Sequence, residues 1–408
     1  MEDEPIATIP REHYLSRLRE LCGFPAIKVL VGIRRCGKTT IMESFRDELI
    51  AGGVLESRTY SANLENITRT FATPKELVDD VVAKVGDLKG SYLFLDEIQA
   101  LDRWESAVST FHTEGADVYI TGSSSKMLSS ELSTKLSGRF VEIRVQPLAF
   151  SEYLLFREGS GKNVAELFQD YVRHGGFPAV ALLEDRSPRS IPDMLSGIYN
   201  TVYMKDVVER NRLRDAPLLP HISAFLMKNV GNRTSIRSIA NYLSGRRIRS
   251  TPDTVDSYVS FMEHAMLFSR AKRLDSKTKE YLVTTDKFYV ADTGIRNALV
   301  PFTYGDMGGI MENIVYNELV YRHGDVAVCD IGGLEVDFVA DPMGRPSYYQ
   351  VCLDMSDSAT VEREVRSLKA LDDNYPKTIV TYDRYILDDI DGIRIVGIVD
   401  WLLGKERV

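Results

Sequence analysis

Gly32-Ile33-Arg34-Arg35-Cys36-Gly37-Lys38-Thr39 fits the spacing G-x-x-x-x-G-K-[ST], and those residue types suit the holding of a polyphosphate. Gly32 and Gly37 let the loop curl, so that successive backbone N–H groups, those of Arg35 and Cys36 among them, point at one cluster of phosphate oxygens. The helix expected after the loop adds the positive end of its dipole. In this arrangement Lys38 reaches the β- and γ-phosphates, the Thr39 hydroxyl binds Mg2+, and Thr40 adds a contact to the α-phosphate. Asp96 supports the same chemistry independently. It ends the apolar run Tyr92-Leu93-Phe94-Leu95 and precedes Glu97. The carboxyl end of a parallel strand is where the second Mg2+ ligand of such a site belongs. Glu97 beside it is positioned to act as general base toward the attacking water.

Such residues need strands and helices in alternation to bring them together. Residues 26–31 read as a buried strand and 39–50 as the helix after it. Residues 58–62, 91–95 and 118–121 read as further strands, and 74–85 as a helix with Pro74 in its first turn. Continuously apolar strands alternating with amphipathic helices predict a parallel sheet covered on both faces. Beyond Pro147 the pattern is helical to about Arg214, broken at Gly175-Gly176-Phe177-Pro178. Three helices then lead to a hairpin formed by 268–273 and 281–290. From about Gly308 the chain returns to α/β, with helices over 311–321 and 356–371 and strands over 334–340 and 348–353.

Composition excludes several classes. At 408 residues with 44% hydrophobic side chains and a net charge of −9, two or three ordinary domains are expected. A surface that coats nucleic acid along its whole length is disfavoured. Apolar runs stop at five residues (179–183), far short of the roughly 20 that span a bilayer. The opening Met1-Glu2-Asp3-Glu4 is no secretory signal. The four cysteines form no C-x-x-C pair and the six histidines no H-E-x-x-H, so disulfides and a dedicated zinc site are not expected, and a cytoplasmic setting is.

Together, Gly32 to Thr40, Leu95-Asp96-Glu97-Ile98-Gln99, Ile120-Thr121-Gly122-Ser123-Ser124-Ser125, Leu136-Ser137-Gly138-Arg139 and Gly175-Gly176-Phe177-Pro178 resemble the AAA+ superfamily of P-loop ATPases. The whole chain is similar to the bacterial and archaeal AAA+ ATPases that carry a nuclease-like C-terminal domain of unknown function. The resemblance implies an α/β fold with an AAA+ core over residues 1–147, a helical lid over 148–217, a winged-helix module over 218–295 and a restriction-endonuclease-like domain over 296–408. It also implies ATP and Mg2+ as cofactors; no Asn-Lys-x-Asp motif for guanine is present. Ser123 is the expected polar sensor of the γ-phosphate, with Thr121 and Ser124 as alternatives. Arg139 is the expected arginine finger, acting within the chain or on a neighbouring copy in a homo-oligomer. Pro178 is the expected adenine contact.

Residues 231–279 hold ten Lys and Arg against four Asp and Glu. Double-stranded DNA is therefore the expected partner of this stretch, with an unidentified protein as the alternative. The helix carrying Thr254, Asp256, Ser257 and Ser260 would read the groove, while Arg246, Arg247 and Arg249 contact phosphates. Further on, Glu312 or Glu318, then Asp337, then Gln350-Val351-Cys352 resemble the PD-(D/E)xK nuclease core. That chemistry needs two carboxylate-type metal ligands and a lysine. Cys352 stands where the lysine belongs, so cleavage is not expected unless Lys369 or Arg366 takes over. The function expected is a Mg2+-dependent ATPase acting as a switch on DNA or a protein partner. An ATP-dependent nuclease and a protein remodeller are the alternatives.

Overall fold

A computed structural model describes residues 9–66, 70–123, 138–184, 186–187, 189–213, 217–382 and 388–405, together with the backbone but not the side chains of 283–284. Ser124, Ser125, Leu136, Ser137 and the acidic N-terminal residues lie outside the described residues. The chain divides into two compact units, Met1–Val145 with His264–Met266, and Gln146–Glu263 with Leu267–Val408. Among the described residues no helix is long and apolar enough to cross a membrane.

The first unit is built on five parallel strands, β1 (Ile27–Val31), β2 (Thr59–Asn63), β3 (Tyr92–Asp96), β4 (Asp117–Gly122) and β5 (Phe140–Arg144), in the order β2-β3-β4-β1-β5. All five residues of β1 are buried, as a strand covered on both faces requires. The helices Lys38–Ala51, Pro74–Val85 and Trp104–Thr113 make the crossovers. Phe45 from the first of these and Phe94 from β3 pack on the Tyr119 ring of β4, with centroids 5.4 and 5.0 Å away. Thr73 caps the helix Pro74–Val85 through the amide of Glu76. The helix Lys38–Ala51 has no side-chain cap, which leaves its first turn to a ligand's oxygens. With β1 set between β4 and β5, the carboxyl ends of β1 to β4 open on one edge, the usual place for a ligand in such sheets.

The second unit begins with the helices Phe150–Phe156, Val164–His174, Pro178–Ala181 and Ser190–Thr201, the last running into a π-helical stretch, Val202–Glu209. Next come the helix Leu218–Lys228, β6 (Arg233–Thr234), the helices Ile236–Gly245 and Pro252–His264, and the hairpin of β7 (Phe268–Asp275) and β8 (Tyr281–Val290). The helices Thr293–Leu299 and Met307–His323 lead to β9 (Val326–Ile331), β10 (Leu334–Ala340) and β11 (Ser347–Cys352). The helix Ser358–Lys369, β12 (Lys377–Thr381), β13 (Asp389–Ile390), β14 (Ile393–Gly397) and the short helix Ile398–Leu402 complete the chain. One nine-stranded sheet collects them in the order β13-β14-β12-β11-β10-β9-β7-β8-β6. The hairpin is joined to the later strands because β7 pairs in parallel with β9. The turn between β9 and β10 is Gly332-Gly333, with φ of 57° and 95°. A two-residue hairpin turn of this kind needs left-handed backbone at both positions, which glycine adopts without strain.

Candidate functional site: a phosphate loop facing a gathered carboxylate

The loop 32–37 rises from β1 and curls under tight packing. A side chain at Gly32 would place its Cβ 2.2 Å from the Val145 carbonyl oxygen, so only glycine lets the backbone pass. Arg35 and Gly37 take left-handed conformations, with φ of 67° and 99°. Cys36 is buried with its thiol toward the Val145 carbonyl, 3.4 Å away, and its N–H donates to the Ile33 carbonyl at 3.2 Å. The buried Lys38 turns its ammonium onto the loop's own carbonyls, 2.9 Å from Gly32 O and 3.3 Å from Ile33 O. Thr40 is exposed on the helix's first turn.

Asp96 is buried at the end of β3 and accepts from three neutral side chains. The Thr39 hydroxyl is 3.0 Å from both carboxylate oxygens. The Thr121 hydroxyl is 2.5 Å from Oδ1, and the Asn63 amide 2.7 Å from Oδ2. Thr121 also accepts from the Glu97 N–H at 3.0 Å. Glu97 has φ 49° and ψ 48°, a left-handed turn that redirects its side chain as the strand ends. Its carboxylate accepts from the Gln99 amide. Ser123 is fully buried just past β4.

The structure therefore brings Gly32, Arg35, Cys36, Gly37, Lys38, Thr39 and Thr40 into one loop and helix start, and sets Thr39 on Asp96. Mg2+ is held by one or two protein oxygens, with phosphate oxygens and water completing its octahedron. The adjacent Thr39 hydroxyl and Asp96 carboxylate are two such oxygens, so the residues fit that ion together with a triphosphate.

Arg139 is not brought to these residues. Its carbonyl accepts from the Ile27 amide at the start of β1, so it lies at the amino ends of the strands. Five residues of strand separate those ends from the phosphate loop, about 16 Å. Arg139 is exposed there, and its charge adds to burial in pushing His112 below its ordinary pKa. Pro178 belongs to the second unit and starts the helix Pro178–Ala181. The glycines before it serve the buried Asp292: the Gly176 amide donates to Asp292 Oδ2 at 2.6 Å, and a Cβ at Gly175 would strike the same carboxylate.

Two residues of the loop's surroundings carry no mark in the motif. Arg11, almost wholly buried, donates to the Cys36 carbonyl at 2.8 Å and so steadies the loop from behind. Nothing near it in sequence signals that role. Asn63 was findable, because it ends β2 as Asp96 ends β3.

In the second unit Asp337 and Glu312 do come together, both within 3.0 Å of one ammonium, that of Lys287 on β8. Glu318 instead pairs with Arg322. Gln350 accepts from the Asp337 amide and donates to Glu364. Cys352 is buried with its thiol on the Asp354 carbonyl. Lys369 pairs with Asp391 and Arg366 is exposed, so neither supplies the missing lysine; the lysine at the carboxylates comes from the hairpin.

These features define an α/β protein with an AAA-type P-loop core. A family model described as "AAA domain" matches residues 25–154, and one described as "Domain of unknown function (DUF8612)" matches 165–305. The Walker-type ATPase of Pyrococcus abyssi shares the fold at a TM-score of 0.50 and 14% identity, over 71% of this chain and 95% of that one. An "Uncharacterized protein" of Haemophilus influenzae is 31% identical over 402 residues, covering 97% of this chain and 99% of its own length. Another, of Methanocaldococcus jannaschii, is 29% identical, covering 92% and 88%. The chain belongs to the family of the Haemophilus influenzae protein, with an AAA domain as its first unit.

Proposed function

We propose that the protein is a Mg2+-dependent ATPase whose nucleotide state governs its hold on DNA or on a protein partner. The observation that carries the ATPase part is the Thr39 hydroxyl set 3.0 Å from both oxygens of Asp96, behind a loop whose lysine is buried among its carbonyls. ATP binding moves the Lys38 ammonium from those carbonyls to the β- and γ-phosphates, and the loop amides take the remaining phosphate oxygens. Thr39 and Asp96 would hold Mg2+, which would supply positive charge against the phosphate oxygens. Glu97 accepts a proton from the water that attacks the γ-phosphorus. Ser123 is the sensor in this reading, while Thr121 holds Asp96 and Glu97 in register. Arg139, at the far ends of the strands, serves a neighbouring copy's site and makes turnover depend on assembly. Pro178 as adenine contact rests on the resemblance alone.

The DNA part rests on residues 218–290. Helix, short strand, two helices and a hairpin follow in the order of a winged helix, with β6 paired to β8. Arg270 and Arg273 are engaged with Glu263 and Asp330, and Arg233 with Glu335. Arg237, Arg246, Arg247 and Arg249 remain exposed, enough for a phosphate-contacting patch. The nuclease-like reading of the C-terminal strands gives this half a docking role without cleavage.

ATP turnover measured with and without duplex DNA, with DNA integrity followed in the same tube, tests both parts. Turnover that rises with DNA while the DNA stays intact is the expected result. ATPase indifferent to DNA removes the DNA part and leaves the protein partner; no ATPase under any condition sinks the proposal.

A further inference from the structure

Lys287 is a buried lysine, 4% exposed, in the middle of β8. Its ammonium has three N–H donors and meets three carboxylates: Glu312 at 2.7 Å, Glu335 at 2.9 Å and Asp337 at 3.0 Å. Glu335 and Asp337 share one face of β10, two residues apart, and Glu312 comes from the helix Met307–His323. Each carboxylate has a further donor, on the second oxygen of Glu335 and Asp337 and on the shared Oε1 of Glu312. The Tyr289 hydroxyl donates to Glu312 at 2.5 Å, Arg233 to Glu335 at 2.6 Å, and the Val351 amide to Asp337 Oδ2 at 3.0 Å. The Gln350 oxygen, the remaining candidate ligand, is turned to the Asp337 amide at 3.2 Å.

In the sheet β9 and β7 lie between β10 and β8, and a flat sheet would set β8 and β10 about 14 Å apart. Pairing between β7 and β9 covers only residues 273–275 with 328–330, and both the β7–β8 and β9–β10 ladders carry register shifts. Such irregularities bend strands, and here they curl the sheet until one lysine spans from β8 to β10.

We infer that the Lys287 ammonium is a resident cation, which fills the position that a divalent metal would need between Glu312, Glu335 and Asp337, keeps metal out of the C-terminal half, and clasps the hairpin to β10. An ammonium with three acceptors in near contact is a saturated, hydrogen-bonded centre; a metal would have to displace it and leave a buried amine beside a dication. Burial works against the charge on Lys287, while the carboxylates of Asp337, Glu312 and Glu335 around it favour the charged form. Among the described residues no group of three or more His, Cys, Asp or Glu is arranged to hold a metal ion. The inference stands on this cluster alone and does not depend on the ATPase reading.

The test is Mn2+ binding to the full chain without nucleotide, followed by electron paramagnetic resonance of the free ion. Wild type is expected to leave Mn2+ free. Lys287→Ala, which empties the cation position and keeps the three carboxylates, is expected to bind one equivalent at least about tenfold more tightly than wild type. Mn2+ binding by wild type that Asp337→Asn removes would show that the lysine yields to metal and would overturn the inference. So would a folded Lys287→Ala with no gain, or Mn2+-dependent DNA cleavage that Lys287→Ala abolishes. If Lys287→Ala does not fold, the wild-type measurement still decides the metal part. The clasp is then read from a thermal-unfolding cycle of Lys287→Met, Glu335→Gln and the double variant: a double variant that melts above the sum of the single losses supports it, and simple additivity refutes it.

Discussion

Asp96 at the end of β3 and Asp337 within β10 each have a carboxylate drawn into a network, and their partners differ in kind. Asp96 accepts from two hydroxyls and an amide, all neutral. Asp337 sits on an ammonium that two further carboxylates share. Neutral donors hold a carboxylate in place but leave its charge uncompensated, so an incoming cation gains the full attraction. A buried ammonium has already taken that gain, and exchanging it means desolvating another ion. On the proposed reading, the Asp96 network would be open to an incoming cation, whereas the Asp337 network already holds an ammonium. Asp292 is a third case, a carboxylate held by the backbone N–H groups of Gly176 and Ile295. Burial pushes its pKa up to about 6 in spite of those amides.

The comparison breaks first if the Asp96 side is inert. Lys38→Ala is expected to lose ATP binding in a filter or calorimetric assay. Glu97→Gln should bind ATP within a few-fold of wild type while turnover falls by about 10²–10⁴. Tight ATP binding by the first variant, or near-normal turnover by the second, would end the assignment of roles.

Asp292 gives the next effect. Its folded pKa of about 6 lies above the ordinary 3.8, so the folded state binds this proton more tightly than the unfolded state. Its contribution to stability is full below about pH 3.8 and is lost as pH rises through about 6, on the order of 3 kcal/mol. Urea unfolding of wild type against Asp292→Asn, compared across that interval, should show wild type losing ground by this order as pH rises. A pH-independent difference would mean that the amides hold the carboxylate charged throughout.

Thr121→Val sharpens the comparison with the smallest change. It removes one neutral donor from Asp96 and strands the Glu97 N–H, a cost of about 1–3 kcal/mol. A raised Mg2+ requirement for turnover with ATP affinity nearly kept is the expected reading. An unchanged Mg2+ requirement would mean that Thr39 and Asn63 suffice to hold the carboxylate.

The phosphate loop, Asp96 and Glu97 were legible because their geometry is local. A strand, a glycine loop and a helix start follow one another in the chain, and an acid after an apolar strand falls at the strand's carboxyl end whatever the sheet order. The strands 281–290 and 334–340 were legible for the same reason, the first after a polar stretch and the second after the turn glycines Gly332 and Gly333. Arg11 on the back of the loop and Lys287 among the carboxylates were not. Each acts on residues more than 20 positions away, and neither is flanked by residues that mark its purpose. Lys369 and Arg366 are near Cys352 in sequence, whereas the lysine that reaches Asp337 comes from β8, 50 residues before that aspartate.

What the sequence alone determined is the local frame of the first unit: a glycine loop between a strand and a helix, and two acids where the next apolar strand ends, since short-range order sets all of these. Only the tertiary structure decided that Arg139 lies at the far ends of the strands from the phosphate loop, and that Lys287 takes the cation's place at Asp337. Both depend on strand order and sheet curvature, which arise from packing between distant segments and leave no periodicity in the chain to read.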